Sequence, residues 1–151
     1  MTLKTMLSTR SKFLVIGGVI AAATAIWHWL CIIGGPSWFV FARAPQAVVE
    51  SARQGTLFAP ISTLLVGALF MSCTAYAFSG AGLIRKIPLL NPALISISIL
   101  CILRGLYFMP YLLNSAKPDI WLLVSSLVWL FCGICFLLGS LEQFSSEKSK
   151  K

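Results

Sequence analysis

The segment Ile120–Leu141 reads IWLLVSSLVWLFCGICFLLGSL and contains no charged residue. A helix needs about 20 apolar residues to cross roughly 30 Å of hydrocarbon, so this run is long enough to span a membrane. Similar runs lie earlier in the chain, and we predict spans over about 13–33, 56–78, 89–109 and 120–141. Because the strands of membrane barrels are shorter and alternate apolar with polar residues, the sequence predicts an all-α membrane protein.

The composition agrees with this fold class. The chain has 151 residues, of which 58% are hydrophobic and 11% are charged. Soluble domains contain about 25% charged residues, and a chain of this length could not bury so much apolar surface. The composition therefore excludes a soluble globular enzyme and a disordered chain. We expect a single integral membrane domain over residues 1–151.

Basic residues in the connections predict which ends of the spans face the cytoplasm, because short cytoplasmic loops are enriched in Lys and Arg. Eight of them flank the spans on the side of the two termini, namely Lys4, Arg10, Lys12, Arg85, Lys86, Lys148, Lys150 and Lys151. Three lie on the opposite side, namely Arg43, Arg53 and Lys117. We therefore expect both termini in the cytoplasm, with 34–55 as an outer loop and 142–151 as a cytoplasmic tail. This distribution explains the net charge of +8 without nucleic-acid binding.

Short connections make consecutive spans neighbours, so we predict a four-transmembrane-helix antiparallel bundle. In the outer loop, Pro45 begins and Gly55 ends a predicted short amphipathic helix on the outer surface. Small residues recur every three, four or seven positions along each span and are expected where helices pack or where two copies associate. These sets are Gly18, Ala21 and Ala25; Ala68, Ser72, Ala75, Ser79 and Gly82; Ser98, Cys101 and Gly105; and Ser126, Gly133 and Ser140.

Arg104 is the only charged residue inside a predicted span, which makes it the first candidate for a functional residue. An Arg at the centre of a membrane helix costs about 2.5–3.5 kcal/mol on insertion scales, and it usually faces the bundle or reaches the headgroups. A rise of about 1.5 Å per residue puts Arg104 and His28 at similar depths below the outer surface. We hypothesise a polar cluster of His28, Glu50 and Arg104, joined by Arg53 or Asp119, that binds a small polar or lipid ligand.

Two simpler interpretations of these polar residues stay open. In the first, Arg104 reaches the outer headgroups and His28 bonds a backbone carbonyl. In the second, an ion pair only docks the outer helix onto the bundle.

The sequence Cys132-Gly133-Ile134-Cys135 suggests a different chemistry, because a CxxC spacing is used by thiol–disulfide oxidoreductases. Four-helix membrane enzymes of the DsbB and vitamin K epoxide reductase type place such a pair beside a quinone. This chain departs from that pattern, since its pair lies deep in the fourth span and no second pair lies in a loop to relay electrons. Buried Cys also packs well as a small apolar residue. A quinone-linked oxidoreductase using Cys132 and Cys135 is therefore the alternative function.

Other chemistries lack their residues in this sequence. The chain has one His and no cluster of His, Cys, Asp and Glu, so we expect no metal site. Its four acidic residues all lie outside the predicted spans, which argues against proton-coupled exchange through an intramembrane carboxylate. A small transporter with a water path past Arg104 is the third interpretation.

Two stretches carry a family resemblance: Ala75–Leu90, AYAFSGAGLIRKIPLL, and Leu103–Leu106, LRGL. Together with Gly55–Pro60, GTLFAP, they resemble a group of small bacterial inner-membrane proteins with four predicted spans and no assigned activity. The resemblance covers about residues 34–110 and implies a bacterial inner-membrane location. The leading interpretation is a non-enzymatic accessory subunit or small-ligand or lipid binder without a cofactor. Its expected partners are the bilayer, a second copy or another membrane protein.

Overall fold

The computed structural model describes residues 9–108, 113–114 and 120–148, with side chains described within 12–108, 113–114 and 120–145. These residues form helices and turns, and no strand occurs among them. The helices are α1 (Thr9–Gly34), α2 (Pro36–Phe41), α3 (Gln46–Gln54), α4 (Phe58–Gly80), α5 (Leu90–Tyr107) and α6 (Ile120–Lys148). The all-α prediction is therefore confirmed for this part of the chain.

Four of these helices are long and apolar enough to cross a membrane, as the sequence predicts. The candidate spans are Lys12–Gly34, Phe58–Gly80, Leu90–Tyr107 and Ile120–Ser145. The last one extends beyond the predicted boundary at Leu141, because α6 continues without a break into the more polar residues up to Lys148. Glu142 consequently lies inside this candidate span, although it lies outside the span of 120–141 predicted from the sequence.

Proline and glycine set the ends of the short helices. Gly35 has φ 71° and Pro36 follows it as the first residue of α2, a position where its missing N–H costs nothing. Pro45 precedes α3, and Gly55 ends it in the left-handed conformation with φ 68°. The bounds predicted for α3 are therefore correct. No helix is predicted from the sequence over the residues of α2.

The chain divides into two compact units. The first comprises the residues up to Val19 and those from Ala75 onward, and the second comprises Ile20–Thr74. The first unit contains the start of α1, the end of α4, and α5 and α6. The second contains the rest of α1 and α4, with α2 and α3.

In the first unit, α5 and α6 approach so closely that their glycines contact backbone. A methyl group built on Gly105 would lie 2.9 Å from the backbone nitrogen of Leu130 and 3.0 Å from the carbonyl oxygen of Ser126. One built on Gly133 would lie 2.9 Å from the backbone nitrogen of Ile102. These contacts run in opposite directions along the two helices, so α5 and α6 are antiparallel where they touch.

The small residues predicted for the third and fourth spans are buried, as expected: Ser98, Cys101 and Gly105 in α5, and Ser126, Gly133 and Ser140 in α6. The three serine hydroxyls donate to carbonyl oxygens of their own helices at 2.8 Å. A buried hydroxyl without an acceptor would cost free energy, so these bonds allow serine to serve as a small packing residue.

The second unit has a small apolar core of Cys31, Phe39 and Ala59, against which α3 packs through Val48, Val49 and Ala52. Ser51 joins α3 to α4, because its buried Oγ accepts the Ala59 N–H at 2.8 Å and lies 2.6 Å from Thr56 Oγ1. The first amide groups of a helix lack partners within the helix, so Ser51 caps α4 from the preceding helix.

The face predicted for the second span agrees only in part with the observed one. Ala68 and Ser72 are exposed, so the prediction that they pack within the chain is wrong. Gly67 is buried instead, because the indole of Trp29 lies directly against its backbone. The aromatic side chain selects the residue without a Cβ, so Gly67 is packed rather than its neighbour Ala68. Ser79 of the predicted set is buried, as expected.

Candidate functional site

Arg104 lies in the last turn of α5, and its side chain is exposed on the surface of the chain. Its Cζ lies 4.1 Å from the centroid of the Phe108 ring and 5.9 Å from that of Trp129. The aromatic faces attract the cation, and the carbonyl end of the helix also favours a positive charge. The two rings and the helix end therefore hold the guanidinium at the end of α5.

His28 lies in α1 and is half-buried. Its Nδ1 lies 2.7 Å from the carbonyl oxygen of Thr24, one turn earlier in the helix, and its ring lies 5.3 Å from that of Phe70. A carbonyl oxygen can only accept, so this contact assigns the proton to Nδ1. The bond to a backbone carbonyl is the one that the simpler interpretation of His28 expects.

Glu50 and Arg53 are exposed residues of α3. Gln54 donates through Nε2 to Glu50 Oε1 at 2.7 Å, a bond between side chains one turn apart. Arg53 lies in the last turn of α3, where it favours the helix end electrostatically. Asp119, the further predicted member, lies outside the described residues.

The predicted polar cluster draws on both compact units. His28, Glu50 and Arg53 belong to the second, and Arg104 belongs to the first. Within their own units, three of these residues each contact a neighbour: Thr24 for His28, Gln54 for Glu50 and Phe108 for Arg104. The cluster itself stays a prediction, based on the depths below the outer surface that the sequence suggests for Arg104 and His28.

The five cysteines are all free thiols. Cys132 lies on α6 and its Sγ donates to the carbonyl oxygen of Gly17 at 3.8 Å. Cys135 lies towards α1, since a methyl group built on Gly17 would be 3.6 Å from its Cβ. Cys101 of α5 is buried at the same crossing of α5 and α6, since a methyl group built on Gly133 would lie 3.1 Å from its Cβ. The CxxC spacing gives no sign of this, although Cys101 belongs to the small-residue set of its own span.

Glu142 adds a carboxylate near the end of the fourth candidate span. Its Oε2 is buried and has no hydrogen-bond partner among the described residues. Within that same part of the chain, no group of three or more His, Cys, Asp or Glu side chains could hold a metal ion.

The residues that stand out chemically are thus an exposed arginine between two aromatic rings and a buried pair of thiols on facing helices. Comparison of the chain with protein-family models, curated proteins and solved structures gives no match. The function must therefore be inferred from these side chains and their surroundings.

Proposed function

We propose that the protein is a non-enzymatic polytopic protein of a bacterial inner membrane, with its four spans in an antiparallel bundle and both termini in the cytoplasm. The lengths of the four apolar helices support this, as do the opposed directions in which α5 and α6 touch. The excess of basic residues on the side of the termini supports the orientation. In this arrangement α3 lies on the outer surface.

We propose further that Arg104 binds the phosphate of an anionic phospholipid at the outer end of α5. The observation that carries this proposal is the exposure of Arg104 in the last turn of a span, beside the rings of Phe108 and Trp129. A side chain on the outer surface of an apolar helix meets lipid rather than a ligand enclosed by the chain. Long basic side chains near a helix end reach the headgroup region, where Trp is also enriched.

The chemistry of the guanidinium suits a phosphate. Its planar N–H groups form paired hydrogen bonds with phosphate oxygens, and it is less strongly hydrated than the ammonium of lysine. Because the side chain is exposed, solvent screening limits the binding free energy gained from the phosphate contact to about 1 kcal/mol. This corresponds to roughly a fivefold preference for an anionic over a neutral lipid. This predicts a selective but exchangeable lipid contact.

The test is lipid retention by protein purified in a neutral detergent and mixed with phosphatidylglycerol or phosphatidylcholine. Native mass spectrometry counts the lipids that stay bound to the wild type, Arg104→Gln and Arg104→Lys. We expect the wild type to prefer phosphatidylglycerol, Arg104→Gln to lose the preference about fivefold, and Arg104→Lys to keep part of it. Arg85→Gln removes the same charge from an exposed loop residue and serves as the control.

Equal retention of phosphatidylglycerol by the wild type and Arg104→Gln would contradict the lipid proposal. Competition by millimolar inorganic phosphate would also contradict it, because it would indicate a site for a free anion. Affinity purification from native membranes separately asks whether the chain is an accessory subunit of another membrane protein or associates with a second copy.

A further inference from the structure

The short helix α2 turns back along the end of α1 within the second unit. The chain reverses at Gly35, whose φ is 71°, and the indole of Trp38 lies directly against the backbone of Gly34. The centroid of the Trp38 ring is 5.6 Å from that of Trp27. The ring of Phe41, at the other end of α2, has its centroid 6.1 Å from the same Trp27 ring. Both ends of α2 therefore lie beside α1.

Trp27 marks a depth along this candidate span. It lies seven residues before Gly34, the last residue of α1. At about 1.5 Å per residue, this separation is about 10 Å along the helix axis. Since α1 is a candidate span through both residues, the rings that pack on Trp27 lie below the end of the span. The helix α2 thus follows α1 downwards instead of leading away from the membrane.

The exposed side chains of α2 are apolar, in contrast to those of α3. Trp38, Val40 and Phe41 are 40%, 49% and 62% exposed, respectively. The exposed residues of α3 include an acidic, a basic and an amide side chain, namely Glu50, Arg53 and Gln54. Exposure of large apolar side chains to water costs free energy, whereas hydrocarbon accepts them. The surface of α2 therefore suits the acyl chains, and that of α3 suits water and headgroups.

The turn that follows α2 has a backbone suited to an apolar environment. The N–H groups of Ala42, Arg43 and Ala44 donate to carbonyl oxygens of α2 at 2.8, 3.1 and 3.0 Å, respectively. The next residue, Pro45, has no N–H. In hydrocarbon no water can bond a free backbone donor, so a turn at membrane depth must satisfy its donors within the protein. This turn meets that requirement.

Arg43 limits the depth that the turn can reach. It is exposed and lies two residues after Phe41. A long basic side chain can keep its stem in an apolar layer only while its charged end reaches the headgroups. The turn must therefore lie within reach of the headgroups, so α2 can enter one leaflet but cannot cross the membrane.

We propose that α2 is a re-entrant helix in the outer leaflet, with Trp38, Val40 and Phe41 in contact with lipid acyl chains. The inference rests on the proposed placement of the spans and is independent of the lipid contact at Arg104. The helix α3 then returns the chain to the outer surface, where Ser51 accepts the Ala59 N–H at the start of α4. The first part of the predicted outer loop 34–55 thus lies in the membrane.

The experiment places a nitroxide label on single cysteines in a chain whose five native cysteines are changed to alanine. The protein is reconstituted into vesicles of phosphatidylethanolamine and phosphatidylglycerol. Val40→Cys probes α2 and keeps the ring contacts with Trp27, and Phe41→Cys is a second probe of the same surface. Leu69→Cys, at an exposed position within the span of α4, gives the hydrocarbon reference, and Gln54→Cys in α3 gives the water reference. Power saturation measures the accessibility of each label to molecular oxygen, which dissolves in hydrocarbon, and to a nickel chelate, which stays in water.

We expect the ratio of oxygen to nickel accessibility at Val40→Cys and Phe41→Cys to be several-fold higher than at Gln54→Cys and to approach that at Leu69→Cys. Ratios at both α2 positions equal to that at Gln54→Cys would overturn the proposal. Low accessibility to both reagents would also overturn it, because a second copy of the chain would then cover α2. If Leu69→Cys were itself open to the nickel chelate, the proposed spans would be wrong as well, so the two failures are distinguishable.

Discussion

Replacing Gly105 with alanine perturbs a close backbone contact between α5 and α6. The added methyl group would lie 2.9 Å from the Leu130 nitrogen and 3.0 Å from the Ser126 carbonyl oxygen, whereas ordinary contacts begin at 3.4 Å. The helices must therefore separate locally by about half an ångström. Overpacking of this kind costs about 1–3 kcal/mol. Alanine returns about 0.5–1 kcal/mol through its better helix propensity.

The net expectation is a loss of about 0.5–2 kcal/mol in the free energy of unfolding, since the packing cost exceeds the gain in propensity. Equilibrium unfolding in mixed micelles of sodium dodecyl sulfate and a neutral detergent measures this difference. Gly105→Leu should be more damaging, because its longer side chain meets the same backbone atoms. Ser96→Thr adds one methyl group on the exposed side of the same helix and should change stability little.

A Gly105→Ala protein as stable as the wild type would refute the close contact of α5 and α6. A large effect of Ser96→Thr would show instead that α5 is sensitive to any added volume. The difference in stability between Gly105→Ala and Ser96→Thr therefore tests the contact of α5 with α6.

Two further predictions concern serine hydroxyls that hold chain segments together. Ser51→Ala removes the acceptor of the Ala59 N–H and should destabilise the protein by about 0.5–2 kcal/mol in the same unfolding assay, whereas removing the exposed side chain in Gln54→Ala should have a smaller effect. Ser79→Ala removes both the acceptor of the Ile87 N–H, at 2.9 Å, and the donor to the Arg85 carbonyl, at 3.2 Å. This substitution should lower the free energy of unfolding by about 1–3 kcal/mol and speed proteolysis of the 81–87 connection. Ser72 is exposed and bonded only to its own helix, so Ser72→Ala should change neither the stability nor the rate of proteolysis. Equal behaviour of Ser79→Ala and Ser72→Ala would show that the connection does not depend on Ser79.

The spans and the bounds of α3 could be predicted because local sequence determines them. A run of about 20 apolar residues is long enough to cross a membrane as a helix, and its length and composition can be seen in the sequence alone. Pro45 and Gly55 act through their own backbone conformations, so the ends of α3 are visible in the sequence. The short helix α2 was not predicted, because its 6 residues are too few to show a helical period.

Contacts between helices were harder to predict, because they depend on how distant segments align. In α4 the spacing of small residues favours Ala68 and Ser72, yet the bulky side chain of Trp29 selects Gly67 instead. Cys132 likewise has a cysteine three positions away in sequence, but the close packing of α5 places Cys101 beside its neighbour Gly133. Such pairs follow from the rotation and axial position of each helix, which periodicity alone does not specify.

The most direct test of the central claim is the sidedness of the loops between the four spans. Single cysteines at exposed positions, Gln54→Cys in α3 and Ile84→Cys between α4 and α5, are placed in a chain whose five native cysteines are changed to alanine. Intact bacterial cells are then treated with a membrane-impermeant maleimide. We predict labelling of Gln54→Cys in intact cells and labelling of Ile84→Cys only after permeabilisation. Labelling of both positions in intact cells, or of Ile84→Cys alone, would contradict the proposed four-span topology.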